Sequence, residues 1–212
     1  MTEILISAFI TFFVVIDPPG CAPIFNSLTA GTSAAHQRKM AWKSVGIATG
    51  VLLFFALLGE PLLHALGISL DAFRIAGGIM LFLIAIDMVF EKRTERRQNR
   101  AEQVAKEADA GLEHEDISVF PMGIPMIAGP GSIASVMLLT SRSEGWVEMA
   151  AVLGALGLIL LLTLAALLAA GPLMRKLGHN LEAMITRLLG VILAALAAQF
   201  VVDGVRQSFG VA

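Results

Sequence analysis

"VVIDPPGCAPIFNSL" (Val14–Leu28) sets an aspartate, three prolines and a glycine inside an apolar run that begins near residue 3. Proline lacks an N–H, and its ring clashes with the preceding helical turn. Pro18, Pro19 and Pro23 therefore leave the carbonyls of Val14, Val15 and Pro19 without helical donors. Asp17 precedes a proline, which pushes it away from helical dihedrals. The spacing predicts a helix that breaks over Asp17–Gly20. In hydrocarbon each unsatisfied backbone group is costly, so the meaning of this stretch depends on what surrounds it.

The surroundings are those of a membrane chain. Of 212 residues, 57% are hydrophobic and 15% charged, and the mean hydropathy is +0.80. A spanning helix needs about 20 apolar residues. Six stretches qualify, approximately 3–29, 44–66, 72–90, 117–140, 147–170 and 187–209. Val45–Leu63 carries only Glu60, and Val147–Leu173 only Glu148, which is too little charge for the helices of a water-soluble bundle. The expected fold is an all-α membrane protein forming one membrane domain, 1–212.

Orientation follows from Lys and Arg in short loops. Segments 30–43, 91–116 and 174–187 hold twelve of the fifteen basic residues; Arg74, Arg142 and Arg206 lie on the other side. The first set is expected in the cytoplasm, with both termini outside, which for a bacterial chain is the periplasm. Segment 91–116 has six basic and eight acidic residues and reads as a solvated cytoplasmic linker. A net charge of −2 gives no reason to expect nucleic acid as a partner. The lone Cys21 excludes an intrachain disulfide. Met-Thr-Glu lacks the basic start of a signal peptide, so the first stretch is expected to be a retained helix.

The two halves repeat. At a shift of 111, "EPLLHALGISLDAF" (Glu60–Phe73) lies over "GPLMRKLGHNLEAM" (Gly171–Met184), and Pro19-Gly20 falls on Pro130-Gly131. Three-helix copies in series have opposite orientations, giving an inverted repeat (1–90 and 117–212) of the kind secondary transporters use. The counterpart of the first break is "PMIAGPGSIAS" (Pro125–Ser135), where Pro130 frees the carbonyl of Met126 and Gly129 and Gly131 permit unusual dihedrals. Helices 1 and 4 are thus both expected to break near the bilayer midplane, where irregular backbone persists only inside protein or beside a water-filled cavity.

Half-helix N-termini after such breaks suit a carboxylate, and the freed carbonyls suit a cation or an ammonium group. Candidate substrate-binding residues are Asp17, Pro18, Pro19, Gly20, Asn26, Gly129, Pro130, Gly131, Ser132 and Gln199. An intramembrane carboxylate marks function by default, so Asp17 is either a coupling group for H⁺ or Na⁺ or a cap for the following half-helix. Ser27 and Ser135 share the choice between substrate and backbone with Asn26 and Ser132. Gln199 either faces the cavity or bonds a neighbouring helix. Cys21 reads as a small residue filling space at a crowded break. The four histidines have no helical metal-ligand spacing, and no nucleotide loop or nucleophile–His–Asp set is present, so neither cofactor, metal nor enzyme activity is expected.

Asp17-Pro18-Pro19-Gly20 with Pro23-Ile24-Phe25, then Pro125 through Gly129-Pro130-Gly131-Ser132, and Phe73-Arg74-Ile75-Ala76-Gly77-Gly78 resemble the MarC family over nearly the whole chain. The resemblance implies a six-helix bacterial inner-membrane protein related to the LysE exporters, and a role in transporting neutral amino acids. The competing expectations are an exporter of an ion or toxic small molecule, a membrane enzyme, and a scaffold that transports nothing.

Overall fold

The computed structural model describes residues 2–90 and 116–210, with side chains outside 172–183. Most of the expected linker 91–116 thus lies outside the described residues, as do the side chains of 172–183, on which much of the expected repeat rests. Among the described residues there are seven α-helices and no strand: α1 (Thr2–Ile16), α2 (Pro18–Leu28), α3 (Ala34–Ala65), α4 (Leu70–Val89), α5 (Pro130–Thr140), α6 (Trp146–Leu168) and α7 (Ala170–Ser208). Five stretches are long and apolar enough to cross a membrane. The segment before α5, bent against it by 52°, supplies a sixth if the pair counts as one span. These six match the six runs expected from hydropathy.

Local chemistry fixes the boundaries. Ser33 and Ser69 sit in extended conformation ahead of α3 and α4, and their hydroxyls accept from the amides of His36 and Ala72 at 3.2 Å. α3 closes on Gly67 at φ +70. The amide of Ile68 reaches back to the carbonyl of Leu63 at 2.9 Å, and that of Gly67 to His64 at 3.0 Å.

The repeat counterpart of Gly67 behaves differently. Gly178 lies inside α7, so 174–187, expected as a loop, is helical. Its residues are mostly Leu, Met, Arg, Lys, Glu and Ala, all good helix formers. Pro172 stands in the first turn, where its missing amide sacrifices no helical bond.

The region ahead of α5 also departs from expectation. Ser118–Ile127 is a wide π-type coil containing Phe120 and Ile124 in extended dihedrals. Pro121 and Pro125 follow those two residues and keep them from helical geometry. Helix 4 is therefore irregular from its start rather than only at Pro130.

α4 and α7 form the closest helix pair. A Cβ on Gly78 would stand 2.9 Å from the carbonyl oxygen of Ala197, and one on Gly190 3.1 Å from that of Ala85. Small residues let these backbones approach, as between membrane helices. Around them, α3 packs on the Ser118–Thr140 arm, and α6 packs on the Thr2–Leu28 arm. Phe12, Ile16 and Ile24 are buried with Leu156 and Ile159 in the main core. Large apolar side chains including Phe54, Leu57, Phe82, Leu83, Leu161 and Val191 cover the outside. An exterior of this kind suits lipid and not water.

Candidate functional site

Two helix interruptions lie in the interior. In the first, one residue separates α1 from α2. Asp17 has φ 58 and ψ 65, the only positive φ outside glycine among the described residues, and is 2% exposed. Left-handed geometry costs an ordinary L-residue about 1–2 kcal/mol; Asp tolerates it better because its short carboxylate bonds locally. Here Oδ1 accepts from the amide of Gly20 at 3.1 Å. The Asp17 amide still donates to Phe13 O, and its carbonyl accepts from Cys21 N, each at 3.0 Å. The chain thus turns without losing its course, and residues 2–28 remain one continuous apolar stretch.

The Gly20 amide, occupied by Asp17, is the one that would have served Ile16 O in an unbroken helix. The Cys21 thiol donates to that carbonyl instead, at 3.4 Å. Cys21 is therefore more than a space-filler. Gly20 is required by the cap itself, because a Cβ there would stand 2.2 Å from Asp17 Oδ2.

In the second interruption, Ala128 (φ −90, ψ 59) and Gly129 (φ −81, ψ 171) lead into Pro130, the first residue of α5. No side chain caps this helix. Pro130 has no amide, so the first-turn donors are those of Gly131 and Ser132. A Cβ on Gly129 would lie 2.4 Å from Pro125 O. One on Gly131 would lie 3.2 Å from Val15 Cγ1, which brings the start of α5 against the end of α1. Ser132 and Ser135 are buried, and Ser135 Oγ has no hydrogen-bond partner. Ser135 follows Gly131 by four residues, so both share one face of α5, and helical side chains lean towards the N-terminus. The site is therefore a buried helix start with an unspent hydroxyl above it, beside the aspartate-capped turn.

Asp17, Pro18, Pro19, Gly20, Gly129, Gly131 and Ser132 belong to this pair of interruptions, and Pro130 stands at the exposed edge of the second. Two expected members are elsewhere. Asn26 is exposed, nine residues beyond Asp17 or about 13 Å along the helix. Gln199 is also exposed and donates from Nε2 to Asp203 Oδ1 at 2.6 Å. That bond runs within α7, to the residue four positions on, so it is neither the cavity-facing role nor the contact with a neighbouring helix expected of Gln199.

Gln199 is part of a polar layer that residue-by-residue reading missed. Asp203 pairs with Arg142, whose guanidinium lies 4.8 Å from the Phe200 ring centre. Buried Arg74 meets Asp71 at 3.4 Å and bonds Gln207. These contacts join the ends of α4 and α7 and the α5–α6 turn. Three scattered arginines with acidic residues at span ends were the only sequence signal for them. At the opposite end Lys43 pairs with Asp116. The Lys43 side chain, with Ser118 assisting, holds the Asp116 carboxyl down to about 2. Among the described residues no group of three His, Cys, Asp or Glu could hold a metal ion.

The family profile described as "MarC family integral membrane protein" matches residues 2–209. A UPF0056 membrane protein of Methanocaldococcus jannaschii is 38% identical over 204 residues, covering 96% of this chain and 97% of the relative. The Bacillus subtilis UPF0056 membrane protein YvbG is 35% identical over 211 residues, covering 100% and 98%. The Escherichia coli UPF0056 membrane protein YhcE is 33% identical over 202 residues, covering 95% and 91%. No solved structure matches. A full-length profile match and full-length relatives in bacteria and archaea agree with the multi-pass apolar architecture: the chain belongs to the MarC family of integral membrane proteins.

Proposed function

We propose that this protein is a secondary transporter of small neutral amino acids or similar small polar metabolites. In this reading it consists of two inverted three-helix repeats and performs no enzymatic step. Its home is the bacterial inner membrane, with both termini on the outer side and either H⁺ or Na⁺ as coupling ion. The observation that carries the reading is the uncapped, buried start of α5 with Ser135 Oγ unpartnered above it. Buried polar groups normally find partners. An uncapped helix start favours an anion through its amides and dipole.

The substrate carboxylate would take the Gly131 and Ser132 amides and the Ser135 hydroxyl. Its ammonium group would face the end of α1, where Pro18 offers no amide to the carbonyl of Val14. Asp17 would supply a negative charge nearby and is the candidate coupling group.

Two further features support the reading. α2 and α5 each have eleven residues, about 16 Å or half of a roughly 30 Å hydrocarbon core. That length suits breaks near the midplane. Packing is also reciprocal: α4 meets its repeat mate α7, α3 meets the second broken arm, and α6 meets the first. A pseudo-twofold axis in the membrane plane would generate this pattern.

Counterflow of labelled L-alanine in proteoliposomes tests the proposal. Exchange that unlabelled small neutral amino acids accelerate supports it. A substrate screen in which no amino acid exchanges refutes the cargo, and the absence of exchange for any small solute favours a scaffold. Single cysteines in a Cys21-free chain test the topology: Ser69, Ser143 and Ser208 should label with an impermeant thiol reagent from outside, and Ser33 should not.

A further inference from the structure

At the far end of α2 lies a cavity of about 480 Å³, bounded by the end of α2, the start of α3 and the α6–α7 junction. This volume falls within the roughly 300–1,000 Å³ usual for small-molecule sites. Asn26, Thr29, Gln37 and Arg38 form a polar wall; Phe25 and Leu167 face them from the apolar side. The local hydrogen bonds leave this wall in a definite state. Thr29 Oγ1 donates to Phe25 O at 2.8 Å, and Gln37 Nε2 donates to Thr29 O at 3.1 Å. Both donors are thus committed to backbone, which fixes the wall's shape. Among the described residues no carboxylate stands within ion-pair distance of Arg38.

A guanidinium presents a planar fork of donors that matches carboxylate or phosphate. Phe25 and Leu167 have no use for charge and would cover carbon. Lys39 and Lys43 follow Arg38 on α3, and positive charge on this helix start favours anions. We infer that this cavity is an anion site in which Arg38 pairs one carboxylate or phosphate while Phe25 and Leu167 pack on the attached carbon skeleton. Two sources share that chemistry. One is the transported amino acid at its cytoplasmic docking point, which rests on the transport reading above. The other is the headgroup of an anionic phospholipid, since basic pockets between membrane helices on the cytoplasmic side recognise such groups.

The test uses the full chain in phosphatidylcholine nanodiscs and in nanodiscs enriched in phosphatidylglycerol. Calorimetric titration with L-alanine and Tm are measured for wild type, Arg38→Gln, Arg38→Lys and Ser135→Ala. Arg38 is exposed, so its replacement leaves the core intact. Arg38→Gln weakening L-alanine binding about tenfold or more, with Arg38→Lys recovering part, supports the site and assigns it to substrate. Arg38→Gln abolishing a Tm gain that wild type draws from phosphatidylglycerol supports the site and assigns it to lipid. If wild type draws that gain through Arg38 yet binds no amino acid, the anion site stands and the transport reading loses its cargo. If Arg38→Gln alters neither L-alanine binding nor the lipid response, the anion site is refuted. L-alanine binding that still depends on Ser135 in that case leaves the transport reading intact.

Discussion

α2 and α5 are two half-helices of the same length, each opened by proline after a buried N-cap residue, yet they treat their first-turn amides in opposite ways. α2 brings its own anion: Asp17 turns left-handed and places Oδ1 on the Gly20 amide. α5 has Gly129 at the same place and brings nothing. The difference teaches that a break in a membrane helix is not by itself a binding site. In the proposed reading the capped helix start holds the fold together, and the uncapped one receives the substrate carboxylate. The largest consequence is expected at the capped one. Asp17→Ala removes the cap and leaves a Cβ in left-handed geometry. A cap is worth about 0.5–2 kcal/mol and left-handed strain about 1–2. Denaturation in detergent should show a loss of about 1.5–4 kcal/mol, summing those two ranges. Asp17→Asn keeps the acceptor and the tolerance of positive φ, so it should lose less than about 1 kcal/mol. Proton-driven accumulation of substrate should vanish in Asp17→Asn while exchange persists; unchanged accumulation would leave Asp17 only its capping role.

At the empty start the comparison can be attacked through Gly129. Gly129→Ala drives a Cβ to within 2.4 Å of Pro125 O, a backbone atom that cannot swing aside. A loss of about 1–3 kcal/mol is expected, in the range of overpacked sites. Gly131→Ala meets only side-chain ends, Ile84 Cδ1 foremost, and should cost less in the same denaturation experiment.

Ser135→Ala sharpens the contrast because its two effects have opposite signs. It deletes a buried hydroxyl that has no partner, so the ligand-free protein should hold its stability or gain up to about 1 kcal/mol. Substrate affinity should fall roughly ten- to hundredfold, the worth of one hydrogen bond to a charged carboxylate. A stability loss with unchanged affinity would make Ser135 a packing residue. The mildest effect belongs outside the spans, at Lys43–Asp116. The Asp116 carboxyl is lowered from 3.8 to about 2, so its stabilising contribution is complete above the ordinary carboxylate value and disappears as pH falls through about 2. Both side chains are near half exposed, which limits the contribution to about 0.5 kcal/mol or less. Asp116→Asn should cost that same amount, about 0.5 kcal/mol or less, at neutral pH and flatten that part of the acid stability profile.

Much of this architecture was legible in the chain because lipid imposes simple demands. Runs of about 20 apolar residues marked the five long apolar helices and the bent arm ahead of and including α5. Asp17-Pro18-Pro19-Gly20 announced its own interruption, and Gly129-Pro130-Gly131 announced the second. What stayed hidden depended on partners distant in sequence or on local competition. Gly178 resembles Gly67 in its neighbours, but helix-forming residues around it carry α7 straight through. Pro121 and Pro125 act in concert on Phe120 and Ile124, which extends the irregularity of helix 4 well before Pro130. Gln199 was ambiguous because its choice depends on Asp203 and, through it, on Arg142. Cys21 looked inert because its bond to Ile16 O arises only after Asp17 has taken the Gly20 amide.

The central claim is that the empty start of α5 is kept for a carboxylate. Competition against labelled L-alanine in proteoliposomes, comparing L-alanine with L-alaninamide, tests it most directly. The amide keeps the ammonium group, the side chain and nearly the same size, and loses only the charge that the Gly131 and Ser132 amides would receive. A charge-assisted hydrogen bond contributes about 1.5–3 kcal/mol, so the amide should compete roughly ten- to hundredfold more weakly. L-alaninamide competing as well as L-alanine would contradict the claim.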